Sequence, residues 1–82
     1  MLTDDELREN IRKNLIDLRV KKGLTQLDVA EALGTKMTTV ASWEQGLSLP
    51  KPQMLYRIAK YYMKTMDYLF EDNLKIEKSS RY

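Results

Sequence analysis

The stretch TQLDVAEALGTKMTTVASWEQG, residues 25–46, has the pattern of two short helices joined by a tight turn. Thr25 is a good helix N-cap, because its hydroxyl accepts a hydrogen bond from a free backbone amide, and Asp28 can complete a capping box. Apolar residues then recur at helical spacing until Gly34, a residue that commonly ends a helix. The pattern predicts a second helix over 37–45, which is again followed by glycine.

The second helix of this stretch has one apolar edge and one polar edge. At about 100° per residue, Val40 and Trp43 share a face. Thr38, Ser42 and Gln45 lie nearly opposite. A helix that is anchored along one side and presents short, uncharged, hydrogen-bonding side chains on the other suits a DNA major groove.

These residues and their flanks resemble the lambda-repressor-like (Cro/cI, XRE-type) helix-turn-helix DNA-binding family. The resemblance covers about residues 11–70. It rests on the spacing of many residues taken together, since no single motif decides it. The residues that carry it are Leu18, Arg19, Gly23, Leu24, Thr25, Gln26, Ala30, Leu33, Gly34, Val40, Trp43, Glu44, Gly46, Pro50, Leu55, Ile58, Ala59, Asp67 and Leu69. It implies an all-α, compact five-helix lambda-repressor-like domain over residues 1–72, with the helix-turn-helix formed by helices 2 and 3, followed by a charged tail at 73–82.

The remaining segments also carry helix signals. Thr3 and Glu6 form a capping box at the start of the first helix. Its core stripe follows at Leu7, Ile11, Leu15 and Leu18. Pro52 suits the first turn of the fourth helix and Thr65 the cap of the fifth. The predicted helices cover about 4–20, 25–33, 37–45, 52–62 and 66–71.

The composition excludes several classes of function. Histidine and cysteine are both absent, which removes disulfides, zinc fingers, thiol catalysis and histidine acid–base catalysis. We therefore expect no enzyme and no catalytic residue, metal, cofactor or small-molecule ligand. No apolar run is long enough to span a membrane and no signal peptide is apparent, so we predict a cytoplasmic protein without a membrane partner.

Positive charge is concentrated around the helix-turn-helix. The whole chain carries a net charge of only +2, but the segment 18–64 holds eight basic and three acidic residues, a net charge of +5. Phosphate binding requires such a concentration. Solvated helix faces would give the same pattern, so charge alone leaves both interpretations open.

The resemblance assigns the contacts with double-stranded DNA. Met37, Thr38 and Ser42 match the family's base-reading positions, although packing against helix 2 is an alternative for Met37. None of the three can make the strong bidentate contacts with bases that Arg, Asn or Gln make. Met37 and the methyl group of Thr38 suit contact with the methyl group of thymine. We therefore expect a preference for A·T-containing sites, with much of the affinity from phosphates and DNA shape. The predicted flanking or phosphate contacts are Thr25, Gln26, Lys36, Thr39, Ala41, Gln45, Gly46 and Lys51.

The resemblance also predicts a structural ion pair between Arg19 and Glu44, and it exposes two departures from the family. Lys36 stands where the family prefers Ser or Thr as N-cap of the recognition helix, and lysine cannot cap an N-terminus. Met63 stands where many relatives have a capping glycine. Either Met63 takes a left-handed conformation or the fourth helix ends differently.

The predicted function is a sequence-specific DNA-binding regulator of transcription, most simply a repressor that binds a two-fold symmetric operator as a homodimer. The predicted dimer interface lies near the fifth helix, at Met63, Met66, Tyr68 and Phe70. The alternative is an antitoxin-like or other protein-interaction module that binds a partner protein and autoregulates. The short tail disfavours it, because such proteins usually carry a longer extension.

Overall fold

A computed structural model describes residues 1–74 as five α-helices and no strand within that range. The helices are α1 (Asp4–Lys21), α2 (Gln26–Leu33), α3 (Met37–Glu44), α4 (Pro52–Tyr61) and α5 (Met66–Phe70). Each boundary lies within one residue of its predicted position. The all-α class and the five-helix architecture are confirmed. No helix in the described part of the chain combines the length and apolar character needed to cross a bilayer.

Local side-chain bonds fix where α1 and α2 begin. Thr3 and Glu6 form the predicted capping box of α1, and Thr25 and Asp28 form that of α2. In each box the N-cap amide donates to the carboxylate, and this bond lowers the pKa of the Glu6 and Asp28 carboxyls. Helix α2 ends at Gly34, whose φ of +70° is a left-handed conformation that glycine adopts without strain.

The core forms where all five helices meet. Its buried side chains are Ile11, Leu15, Leu18, Val29, Ala30, Leu33, Val40, Trp43, Leu55, Ile58, Ala59, Tyr62 and Leu69. Leu7, at the start of the predicted stripe of α1, is only half-buried. Because α2 and α3 each contribute buried residues to the same core, the helix-turn-helix is held rigidly by the rest of the chain.

Two buried asparagines of α1 hold the end of α5. The side-chain amide of Asn14 lies within hydrogen-bonding distance of the carbonyl oxygens of Tyr68, Leu69 and Glu71, at 3.2, 2.9 and 2.8 Å. That of Asn10 donates to the Phe70 carbonyl at 3.0 Å. A five-residue helix has few internal bonds, so these contacts give α5 a fixed position against α1.

The chain after α5 stays packed for a few residues. Asn73, placed in the predicted tail, is buried, and its side-chain amide donates to the Tyr68 carbonyl at 2.6 Å. The remaining predicted tail, residues 75–82, lies outside the described residues. Before α5, Met63 has φ of +58° and is 91% exposed. Of the two alternatives for this position, the chain therefore adopts the left-handed one.

Candidate nucleic-acid interface

Helix α3 is anchored on one side and open on the other. Val40, Trp43 and Glu44 are buried, at 2%, 6% and 7% exposed. Met37 and Thr38 are exposed and lie at the N-terminal end of the helix. Met37 retains 47% of its accessible surface, so much of this side chain is available to a partner.

The turn before α3 leaves the N-terminal end of this helix electropositive. Its N-cap, Lys36, is exposed and has extended backbone, but its side chain makes no capping bond within the described residues. The departure from the family therefore has the predicted local effect. Free amides at a helix N-terminus and a nearby ammonium group together favour an anion such as a phosphate.

A bidentate ion pair ties α1 to the end of α3. Arg19 Nε donates to Glu44 Oε2 at 2.7 Å, and Arg19 Nη2 donates to Glu44 Oε1 at 3.0 Å. The third contact of the guanidinium goes to the Leu24 carbonyl at 2.9 Å. The bond with Glu44 raises the pKa of Arg19, since the carboxylate stabilises the charged form. The resemblance had predicted this pair.

Gln26 joins the same network from the first position of α2. Its Nε2 donates to Glu44 Oε1 at 3.1 Å, and the side chain is half-buried. The amide group of glutamine carries two hydrogens, so within residues 1–74 the second is available to another acceptor. Three helices thus meet at a single carboxylate. This fixes the N-terminus of α2 relative to α3.

The loop after α3 folds back over the end of that helix. Gly46 has φ of +76°, and the Leu47 amide donates to the Ser42 carbonyl at 3.0 Å. The hydroxyls of Ser42 and Ser48 are hydrogen-bonded at 2.8 Å. This contact could not be predicted from the sequence, because a loop residue six positions later carries no helical periodicity.

Arg12 was not among the residues predicted to lie near the DNA-binding surface, but it lies beside the turn that follows α3. A Cβ atom at Gly46 would lie 3.4 Å from Arg12 Cδ, so this arginine runs beside the turn after α3. Its Nε donates to Glu9 Oε2 at 3.0 Å. The available signal was its spacing, since Arg12 and Arg19 are seven residues apart and share a face of α1.

The structure brings the predicted DNA-contacting residues to the N-terminus of α2, to α3 and to the following loop. The exposed ones are Thr25, Lys36, Met37, Thr38, Gln45, Gly46 and Lys51. The half-buried ones are Gln26, Thr39, Ala41 and Ser42. The predicted dimer residues lie elsewhere. Met63 is exposed, whereas Met66, Tyr68 and Phe70 are partly buried against the core of the same chain.

Comparison with known proteins identifies this arrangement. A family model described as helix-turn-helix matches residues 15–69, which is most of the chain. The chain belongs to the XRE-type helix-turn-helix family. The match takes in both helices of the motif, the ion pair between Arg19 and Glu44, and the loop that follows α3.

Two sequence relatives of this helix-turn-helix chain are bacterial or phage regulators. It is 37% identical over 57 residues to the HTH-type transcriptional activator BcrR of Enterococcus faecalis, covering 70% of this chain and 28% of that protein. It is 37% identical over 46 residues to the cryptic phage CTXphi transcriptional repressor RstR of Vibrio cholerae, covering 56% of this chain and 41% of that protein. The matched part thus spans less than half of either relative.

A solved structure shares the fold. The solution structure of the SOS-response transcriptional repressor LexA from Eubacterium rectale superposes with a TM-score of 0.78 at 26% sequence identity. The superposition covers 88% of this chain and 76% of that chain. The helix-turn-helix chain is therefore similar to an activator and to two repressors by name.

Proposed function

We propose that this protein is a DNA-binding regulator of transcription whose α3 enters the major groove. The observation that carries the proposal is the two-sided character of α3, which is locked by Trp43 and Glu44 on one side and exposes Met37 and Thr38 on the other. A reading helix must keep its position while it faces the bases. The Arg19 pair and the Gln26 bond meet this requirement.

Sequence readout in this proposal comes from Met37, Thr38 and Ser42. Single hydroxyls form one hydrogen bond where an arginine or an asparagine would form two, so the discrimination from each contact is modest. The Met37 side chain and the Thr38 methyl favour thymine. We therefore expect A·T-containing sites and a substantial contribution from DNA shape.

Phosphate contacts flank the reading helix in the same proposal. Lys36 lies at the N-terminus of α3, and Lys51 lies at the end of the loop that follows it. Gln26 and Thr25 bring the N-terminus of α2 to the backbone, where helix amides favour an anion. The exposed Gly46 turn lies at the other end of α3, where a residue without a side chain allows a close approach of the DNA backbone.

We further propose that the protein acts as a repressor and binds a two-fold symmetric operator as a homodimer. The names of RstR and LexA support repression, whereas that of BcrR supports activation. Two copies would place their α3 helices in successive major grooves, about 34–36 Å apart. The exposed Met63 and the neighbouring α5 provide a surface for pairing.

Selection of binding sites from random DNA, performed at low and at physiological salt, tests these proposals. A pseudo-palindromic consensus with A·T-rich positions is the expected result. A consensus of a single half-site would contradict the dimer but keep the DNA-binding function. Weak, strongly salt-dependent binding without a consensus would exclude sequence-specific regulation. It would favour the alternative, a protein-interaction module.

A further inference from the structure

Ser42, on the proposed reading face of α3, is hydrogen-bonded to Ser48, in the loop that follows. Their Oγ atoms are 2.8 Å apart. Ser42 is half-buried and Ser48 is exposed. The Gly46 turn creates this contact by bringing the loop back over α3, and the bond from the Leu47 amide to the Ser42 carbonyl fixes the turn.

We propose that Ser48 is a positioning residue for base recognition, which holds the Ser42 hydroxyl in the orientation that faces its base pair. The inference rests on the proposed DNA-binding function. A free serine hydroxyl samples three staggered side-chain rotamers. The bond to Ser48 selects one of them before DNA arrives, so less conformational freedom is lost on binding.

The bond also determines what Ser42 can offer to a base. A hydroxyl has one hydrogen and two lone pairs. When Ser42 donates to Ser48, its lone pairs face the groove and suit the exocyclic amino group of adenine or cytosine. When Ser48 donates instead, the Ser42 hydrogen becomes available to the acceptor atoms of guanine, adenine or thymine. Ser48 can therefore set the chemistry of a base contact that it does not make.

A positioning role differs from a phosphate contact in its effect on different DNA sequences. Loss of a phosphate contact weakens binding to every sequence alike, because the backbone carries no sequence information. Loss of an aligned base contact weakens discrimination at one base pair. The experiment must therefore compare a preferred site with single base-pair variants.

The test measures the affinity of the full chain for its selected site and for each single base-pair variant of that site. Ser42→Ala identifies the base pair in question as the one where discrimination is lost. At that base pair we expect Ser48→Ala to reduce discrimination about two- to twelvefold, a range set by a single hydrogen bond. Discrimination at the other base pairs stays unchanged. Ser48→Thr, which keeps the hydroxyl, retains discrimination.

The double variant Ser42→Ala, Ser48→Ala provides the decisive comparison. If Ser48 acts through Ser42, the double variant discriminates no worse than Ser42→Ala alone. Leu49→Ala is a matched control, because Leu49 is exposed in the same loop and has no part in the hydroxyl pair. We expect it to leave discrimination at the Ser42 base pair unchanged. Thermal unfolding of each variant verifies that the fold is intact.

Several results would overturn the inference. Equal loss of affinity for every DNA in Ser48→Ala would make Ser48 a phosphate contact, and no loss at all would remove it from the interface. A further loss in the double variant would show that Ser48 acts independently. Failure of Ser42→Ala to affect any base pair would contradict it as well. If the unsubstituted protein has no preferred site, the proposed function fails together with this inference.

Discussion

At Lys36, helix stability and the proposed phosphate contact favour different residues. This exposed lysine occupies the N-cap position of α3, but its side chain makes no capping hydrogen bond within the described residues. We expect Lys36→Ser to stabilise the fold by about 1 kcal/mol, because the serine hydroxyl can accept a bond from an α3 amide. Affinity for DNA should fall for all sequences alike. The slope of log K against log salt concentration should become less steep by about 0.9 per subunit, the effect of one lost phosphate contact.

Urea unfolding and salt-dependent binding measure these two effects separately. Lys13→Gln is the matched control, since Lys13 is exposed on α1 outside the predicted contacts. It removes the same charge from another part of the surface. Equal losses of affinity in the two variants would exclude a local role for Lys36 and leave only its contribution to net charge.

Met63 has a backbone conformation that its side chain disfavours. Its φ of +58° costs a non-glycine residue about 1–2 kcal/mol. Because the side chain is 91% exposed, Met63→Gly removes this strain with little loss of packing. Glycine costs about 0.5–1 kcal/mol of chain entropy in return. We expect a net stabilisation of about 0.5–1 kcal/mol in urea unfolding at low protein concentration, and lower stability would contradict it.

Because of Tyr62, we expect the free energy of unfolding to decrease at alkaline pH. Burial, reinforced by electrostatic interactions with Tyr61 and Glu44, raises the pKa of Tyr62 to about 12 from 10.0. The folded protein therefore holds this proton more tightly than the unfolded chain does. Its contribution is complete below pH 10 and is lost as the pH rises toward 12.

Denaturant unfolding between pH 8 and pH 12 tests this prediction. We expect the stability of Tyr62→Phe to fall less steeply above pH 10 than that of the unsubstituted protein. Tyr56→Phe is the control, because Tyr56 is 54% exposed. Identical slopes for Tyr62→Phe and the unsubstituted protein would contradict the assignment.

At the scale of elements, the position of α5 depends on Asn14. This side chain is 2% exposed and lies against three carbonyl oxygens at the end of α5. Asn14→Ala removes the side-chain donor of the Leu69 carbonyl, whereas the Tyr68 carbonyl keeps its bond from Asn73. We expect the change to cost about 1–3 kcal/mol of unfolding free energy. Lys13→Ala, a change at the exposed neighbouring residue, should stay within about 0.5 kcal/mol.

Hydrogen exchange distinguishes a local effect on α5 from a general one. The amides of α5 should exchange faster in Asn14→Ala than the lower global stability alone explains. Binding to a DNA half-site should be retained at temperatures where the variant is folded, since Asn14 lies outside the helix-turn-helix. Loss of half-site binding in the folded variant would show that α5 also supports the reading helix.

The elements could be predicted because their signals are local. Thr25 with Asp28 begins α2 and Gly34 ends it, all within ten residues, so the boundaries follow from the sequence. The asparagines of α1 could not be predicted in the same way. Asn14 and its carbonyl partners are 54–57 residues apart, and a polar residue next to an apolar stripe gives no sign of what it faces.

In the candidate site, too, the local features could be predicted from the sequence, and the contacts between distant segments could not be predicted from local patterns. The polar row of α3 follows from helical periodicity, which also identifies Val40 and Trp43 as its anchor. The Arg19 pair was predicted only through the family resemblance, since residues 25 positions apart have no local relation. The contact of Ser42 with Ser48 depends on the path of a loop, and neither periodicity nor the resemblance provided it.

At the scale of the whole molecule, the proposed dimer is separable from the proposed reading helix. Of the four residues predicted for pairing, Met63 offers the most accessible side chain, since the other three are partly buried in the same chain. Met63→Asn removes apolar surface while keeping a residue that tolerates φ of +58°. Monomer stability should therefore be unchanged or higher, and a weaker dimer cannot be attributed to misfolding.

Sedimentation equilibrium and binding to half and full operators measure the consequences of Met63→Asn. We expect weaker self-association and unchanged affinity for an isolated half-site, because α3 lies elsewhere on the surface. Affinity for the full operator should fall, because two monomers that no longer pair lose the advantage of binding as a unit. For the self-association measurement alone, Leu47→Asn is the control for loss of exposed apolar surface in general, since Leu47 is 74% exposed and far from α5 in the sequence. If Met63→Asn associates and binds the full operator like the unsubstituted protein, the two copies pair through another surface.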